Sequence, residues 1–268
     1  MTTFHKVIKY LAMAFAIFLA VSIIGGIIGT VASFSGLFDE DEVLGDAKTY
    51  TVSGDITELE IEIDAADFSI KQADTFSVES NLKQLTVKEK DGVLKVKENK
   101  EFGITYTDAM LILYIPASTV FEKVEITTGA GRLTVDTLST GSLKLELGLG
   151  KVNIENLTAT SQADIDGGAG DITISGGTLH NLDLDIGVGK LHLTSAILGN
   201  SDFDIGTGRT NITIIGNKDD YSIDAEKGIG NITIDGETVS TVNSLGNGKN
   251  KIEISGGIGA IDLNFSKE

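Results

Sequence analysis

The stretch that decides the fold is Gly129-Ala130-Gly131-Arg132-Leu133-Thr134-Val135, together with the copies that follow it. These read Gly148-Leu149-Gly150-Lys151-Val152-Asn153-Ile154 and Gly168-Ala169-Gly170-Asp171-Ile172-Thr173-Ile174. The phrase returns at Gly187-Val188-Gly189-Lys190, Gly206-Thr207-Gly208-Arg209, Gly228-Ile229-Gly230-Asn231 and Gly246-Asn247-Gly248-Lys249, with a short last copy at Gly257-Ile258-Gly259. Most steps are 19 or 20 residues, one is 22, one 18 and the last 11. A fixed period near 20, with strand alternation on both sides of a glycine pair, is the signature of a β-solenoid. The expected fold is all-β, a right-handed parallel β-solenoid (β-helix) with about 20 residues per turn.

Alternation sorts the side chains into columns. Three residues before each leading glycine stand Ile126, Leu145, Ile165, Leu184, Phe203, Ala225, Asn243 and Ile254. Four and six residues after it come Leu133, Val152, Ile172, Leu191, then Val135, Ile154, Ile174, Leu193 and their later equivalents. These columns point inward and stack about 4.8 Å apart from coil to coil. Asn243 and Asn250 fall in inward columns of the last full copy, so the core should thin there. The final step of 11 residues lacks room for a turn, and Phe265 is expected to close the end against an exposed edge strand.

The outward columns carry charge. Four and two residues before the leading glycine, the copies place Glu125, Lys144, Glu146, Asp164, Asp166, Asp183, Asp185, Asp202, Asp204, Asp224, Glu226 and Glu253. Three residues after it runs a largely basic column of Arg132, Lys151, Lys190, Arg209 and Lys249, interrupted by Asp171 and Asn231. One reading is a solvated face partly neutralised across each corner. The other is a binding strip, with Asp164, Asp166, Asp183, Asp185, Asp202 and Asp204 as its candidate ligands. The corner glycines Gly129, Gly131, Gly148, Gly150, Gly168, Gly170, Gly187, Gly189, Gly206, Gly208, Gly228 and Gly230 are structural. A dinucleotide fingerprint needs a third glycine and a following helix, and every copy here runs into another strand.

The chain has 268 residues, 32 glycines, one proline and no cysteine, and a net charge of −18. Disulfides and thiolate chemistry are excluded. The acidity excludes a nucleic-acid partner, whose phosphates need a basic surface. No catalytic residue, cofactor or metal ligand set stands out. Calcium takes 6–8 oxygens, but Asp171 follows its glycine one place too early for the nonapeptide calcium roll. His5, His180 and His192 are too scattered to share a metal, and His192 falls in an outward column with Thr173 and Asn211.

Residues 10–38 contain no charged side chain; Lys6 and Lys9 precede them and Asp39-Glu40-Asp41-Glu42 follows. About 20 apolar residues cross a bilayer, and a signal-peptide core is only about 7–15 residues long. The run reads as an uncleaved N-terminal transmembrane helix, with the N-terminus cytoplasmic and the rest outside the plasma membrane. Gly25-x-x-x-Gly29 would let two such helices pack, so a homo-oligomer is compatible with the sequence. The organisation is then 1–38 cytoplasmic stub and anchor, 39–48 acidic linker, 49–121 irregular β structure, and 122–265 regular solenoid. Within 49–121, Leu59 to Ile70 reads as a degenerate copy with Asp64 and Ala66 in the glycine places, and Asp91-Gly92 signals a hairpin.

The order of these features resembles a known family. A lone membrane helix precedes Asp91-Gly92-x-Leu94-x-Val96. Then come Leu111-x-Leu113-x-Ile115-Pro116 and the serial Gly-x-Gly strands from Gly129. Residues 50–265 resemble the bacterial domain of unknown function labelled "putative adhesin". The resemblance implies a surface-exposed β-solenoid in a bacterial, Gram-positive-type envelope, in places linked to envelope stress, and it carries over no catalytic residue. The function expected is non-enzymatic: adhesion, surface binding or envelope sensing toward an unidentified envelope or extracellular ligand. The alternatives are a polysaccharide-acting enzyme using Asp164, Asp183 or Asp202, and a calcium-stabilised spacer.

Overall fold

The computed structural model describes residues 44–99, 108–239 and 241–267. The expected membrane segment 10–38 lies outside these residues. No helix among the described residues is long and apolar enough to cross a membrane. The first seven strands are β1 (Leu44–Thr51), β2 (Glu58–Ile63), β3 (Asp67–Ala73), β4 (Ser77–Leu82), β5 (Leu85–Lys90), β6 (Val93–Glu98) and β7 (Met110–Pro116). Next come β8 (Phe121–Ile174), which runs unbroken through several copies of the repeat, then β9 (Gly177–His180), β10 (Leu182–Leu198) and β11 (Asn200–Ile215). The last are β12 (Tyr221–Glu226), β13 (Ile229–Ile234), β14 (Glu237–Val239), β15 (Thr241–Leu245) and β16 (Asn250–Ser266). The one helical element described is the 3-10 turn Lys218–Asp220.

The apolar columns stack as the alternation requires. In β10, Leu184 lies opposite Ile165 of β8 on one side and Phe203 of β11 on the other, all in parallel register. Leu191 likewise sits between Ile172 and Thr210, and Leu193 between Ile174 and Ile212. All six are buried. No strand could bury such a face alone; each covers its neighbour, and the result is one continuous core.

The degenerate copy is a full member of the stack. β2 pairs in parallel with β8, setting Ile61 opposite Ile126, and β3 sets Phe68 and Ile70 opposite Leu133 and Val135. Beyond it lie β6 and β7, with Val96 opposite Ile61 and Leu111 opposite Phe68. Antiparallel strands then close the end. β5 pairs with β6 through the two-residue turn Asp91-Gly92, both at positive φ, and β4 joins β7 to β1. The stretch read as a linker ends in strand, since residues 44–48 begin β1. Lys88, Glu89 and Lys90 are exposed on β5, and such charges discourage pairing of an edge with another chain.

At the C-terminus the expected order fails. β16 does not cap the stack but enters it, between β11 and the pair β12 and β13. Ile254 is held between Phe203 and Ala225, Ile261 between Thr210 and Ile232, and Leu263 between Ile212 and Ile234. The reason is burial: Ile252, Ile254, Ile261 and Leu263 can be covered on both sides, and all four are buried. The outer place falls to β12 and β13, which β15 and β14 cover in antiparallel fashion.

The Gly246 copy is therefore no coil. Gly246 and Gly248 lie in a turn packed on the backbone of Asp220 and Tyr221. Asn243 belongs to the antiparallel strand β15. Asn250 is buried and thins nothing, since its side-chain oxygen accepts a hydrogen bond from the Gly199 N–H at 3.0 Å. Phe265 pairs opposite Ile214 and lies 5.2 Å from the Tyr221 ring, half-buried against the core.

Candidate functional site

The stack brings the Gly-x-Gly corners into one line. At each corner the two glycines serve for different reasons. A Cβ on Gly148 would collide with the carbonyl oxygen of Gly129, so the first glycine answers to close approach of the preceding rung. Gly150 has φ +144° and also faces the Gly131 carbonyl, so it answers to both backbone conformation and space. The same succession continues from rung to rung, and Gly259 sits against Gly208 and Gly230 against Gly259.

On the flank before the corner, the six candidate aspartates form two ladders. Asp183 is registered between Asp164 and Asp202, and Asp185 between Asp166 and Asp204. The ladder continues from Asp202 to Glu253 and on to Asp224. Toward the N-terminal end the acids acquire partners on the same flank. Lys144 holds Glu146 at 2.9 Å, Lys123 holds Glu125 at 2.6 Å, and Lys95 and Lys97 pair with Glu60 and Glu62. At the other end Lys251 pairs with Glu253. The six central aspartates make no ion pair among the described residues.

Their electrostatics follow. Asp185 is pushed up to about 6, first by partial burial and then by the carboxylates of Asp204, Asp183, Asp166 and Asp202. Asp166 and Asp202 are raised as well, again by burial first and then by neighbouring carboxylates. Glu146 moves the other way, held low by its hydrogen bond from Lys144. The carboxylates are strung along the stack. Among the described residues no three His, Cys, Asp or Glu side chains gather as a metal site.

On the far flank Lys190 is registered between Asp171 and Arg209. Ala260 stands next to Arg209, in the place that sequence order gives to Asn231, because β16 supplies that rung and Asn231 follows it. Arg132, Lys151, Lys190 and Arg209 are exposed. Among the described residues they make no ion pair, so the partial neutralisation expected across each corner is not made by contact pairs. The ion pairs lie along a flank, and the corner keeps the unpaired acids and bases apart. His192 is on the surface, its Nδ1 3.2 Å from the Asn211 side-chain nitrogen.

One feature the sequence reading passed over is the residue between the glycines. Ala130, Leu149, Ala169, Val188, Thr207, Ile258 and Ile229 follow one another along the corner, and Leu149, Val188, Ile258 and Ile229 are exposed by 41, 41, 38 and 57%. The signal was present as an apolar side chain held between two glycines in every copy along the ridge except that of Thr207. The result is an apolar ridge with acid on one side and base on the other.

Comparison with solved structures gives distant likenesses. A "putative cell adhesion protein" from Clostridium sporogenes is 14% identical, with 82% of this chain and 99% of that one covered, at a TM-score of 0.36. A "putative adhesin" from Bacteroides fragilis is 10% identical, with 81% and 95% covered, at a TM-score of 0.32. A "putative lipid binding protein" from Parabacteroides distasonis is 14% identical, with 84% and 98% covered, at a TM-score of 0.33. Comparison with curated proteins finds no match. The family model described as Toastrack DUF4097 matches residues 46–262, the whole stack but for its last few residues, and the chain belongs to that family.

Proposed function

We propose that this chain displays a non-enzymatic, acidic β-solenoid on the outer face of a bacterial plasma membrane, for adhesion, surface binding or envelope sensing. The observation that carries the reading is the uncharged apolar run 10–38, with Lys6 and Lys9 before it and an acidic stretch after it, joined directly to the family domain. The surface of the stack supports a binding role over a reaction. Its carboxylates repeat from rung to rung without one pair being set apart, which suits an extended or repetitive ligand. We take the winding to be right-handed, the hand that parallel crossovers adopt, with about 20 residues per turn. No metal or cofactor belongs to this reading.

The test is protease treatment of intact cells carrying a C-terminal epitope on this chain. Surface display predicts loss of the epitope with the N-terminal stub retained in the cell. An epitope protected until the cells are lysed overturns the topology.

A further inference from the structure

We propose that the glycine corner is a dimer interface, at which two copies of this chain pack ridge against ridge, parallel, about a two-fold axis running along the stack. Three observations converge on it. The ridge of Leu149, Val188, Ile258 and Ile229 is apolar and exposed. The aspartates Asp183, Asp185, Asp202 and Asp204 on one side make no ion pair among the described residues, and neither do Lys151, Lys190 and Arg209 on the other. Within one chain the corner holds these two sets apart.

Symmetry then selects the partner. A two-fold axis along the stack turns the second chain by half a revolution, so its basic flank faces the first chain's acidic flank at the same height. Asp185 meets Lys190 of the other copy, and Asp204 meets Arg209. The same contacts recur by symmetry on the opposite side of the ridge, as an isologous interface requires. An antiparallel arrangement sets acid against acid and base against base, which complementary interfaces avoid. The basic column breaks at Asp171, where the small Ala169 also lowers the ridge, and again at Ala260 and Asn231 on the Ile258 and Ile229 rungs, so the charge pairing is confined to the rungs between.

The size fits a modest affinity. From Ala130 to Ile229 the ridge is about 30 Å long at ~4.8 Å per rung. With its charged flanks it offers on the order of 600 Å² per chain, toward the low end for stable complexes. Micromolar dissociation is the expected range. The parallel arrangement also puts both β1 strands at the same end, as two chains anchored in one membrane would need, although the dimer itself does not depend on that anchor.

The chain has no cysteine, which makes the test direct. In a parallel two-fold dimer every ridge residue meets its own copy. Full-length Leu149→Cys, Val188→Cys and Ile258→Cys should each give a disulfide-linked dimer on mild oxidation. Val120→Cys, more exposed still but off the ridge, should not. Asp185→Lys should weaken self-association in sedimentation at least tenfold, and adding Lys190→Asp should restore it. Cross-linking at one ridge position alone indicates an antiparallel pair and overturns the proposal. So does a chain that stays monomeric at ~100 µM, or a charge swap that rescues nothing. Ridge cysteines protected only by added vesicles or by another protein would assign the ridge to that occupant instead.

Discussion

Two glycines separate the cost of space from the cost of backbone conformation. Gly150 combines φ +144° with a neighbouring carbonyl in the path of any Cβ. Gly236 has φ +79° in the β13–β14 turn with nothing within 4 Å. Ala at Gly236 incurs only the conformational strain, about 1 kcal/mol. Ala at Gly150 must also push one rung off the next, at about 3 kcal/mol or more. Urea titration of the two variants should show that order, and equal midpoints would mean the rungs are not in contact at the corner. The glycine pairs were legible because their spacing is periodic. That the first is needed for close approach and only the second for positive φ was not, since both look alike until the rungs are stacked.

The strand β16 shows where reading a chain in order runs out. Its Ile252, Ile254, Ile261 and Leu263 alternate like those of any other copy, and the apolar columns were legible down to single residues. What sequence order could not give is that this segment folds back between β11 and the β12–β13 pair. Local alternation says which face is apolar but not which neighbour covers it. The consequence is testable by truncation after Lys249. Burying these four side chains is worth about 1.5–3 kcal/mol each, together comparable with the ~5–15 kcal/mol stability of a whole domain. Were β16 a terminal cap, its loss would fray one end. Because it is internal, its loss parts β11 from β12 and β13. Limited proteolysis of the truncated chain should cut first within residues 217–249, well before the strands from β2 to β10. Cleavage confined to the new C-terminus, with 217–249 protected, contradicts the insertion.

Across the whole molecule the antiparallel strands at both ends hide the parallel edges, and what remains for partners is the long side of the stack. The two charged columns on that side were legible because outward side chains keep the register of inward ones. The lack of pairing across the corner was not, because it depends on how far a convex turn separates the flanks. The acid ladder gives the stack an unusual pH response. Asp185, raised to about 6, with Asp166 and Asp202 raised too, binds protons more readily folded than unfolded, where a carboxylate titrates near ~4. Between those values the folded state holds the greater number of protons, so stability falls as pH rises and increases on acidification from about 7 to 5. Glu146 and Asp235, whose carboxyls are held low, oppose this only below the ordinary carboxylate range. Asp185 stays largely solvated, so the gain is modest, on the order of 1–3 °C in Tm, and shrinks with added salt. Calorimetry at concentrations where the chain is monomeric should show Tm higher at pH 5 than at pH 7. Asp185→Asn should raise Tm at pH 7 and flatten the slope. A Tm that drops steadily from pH 7 to 5 would mean the aspartates are neutralised by partners on the surface, and the ladder would then not be the open acidic face that a binding role requires.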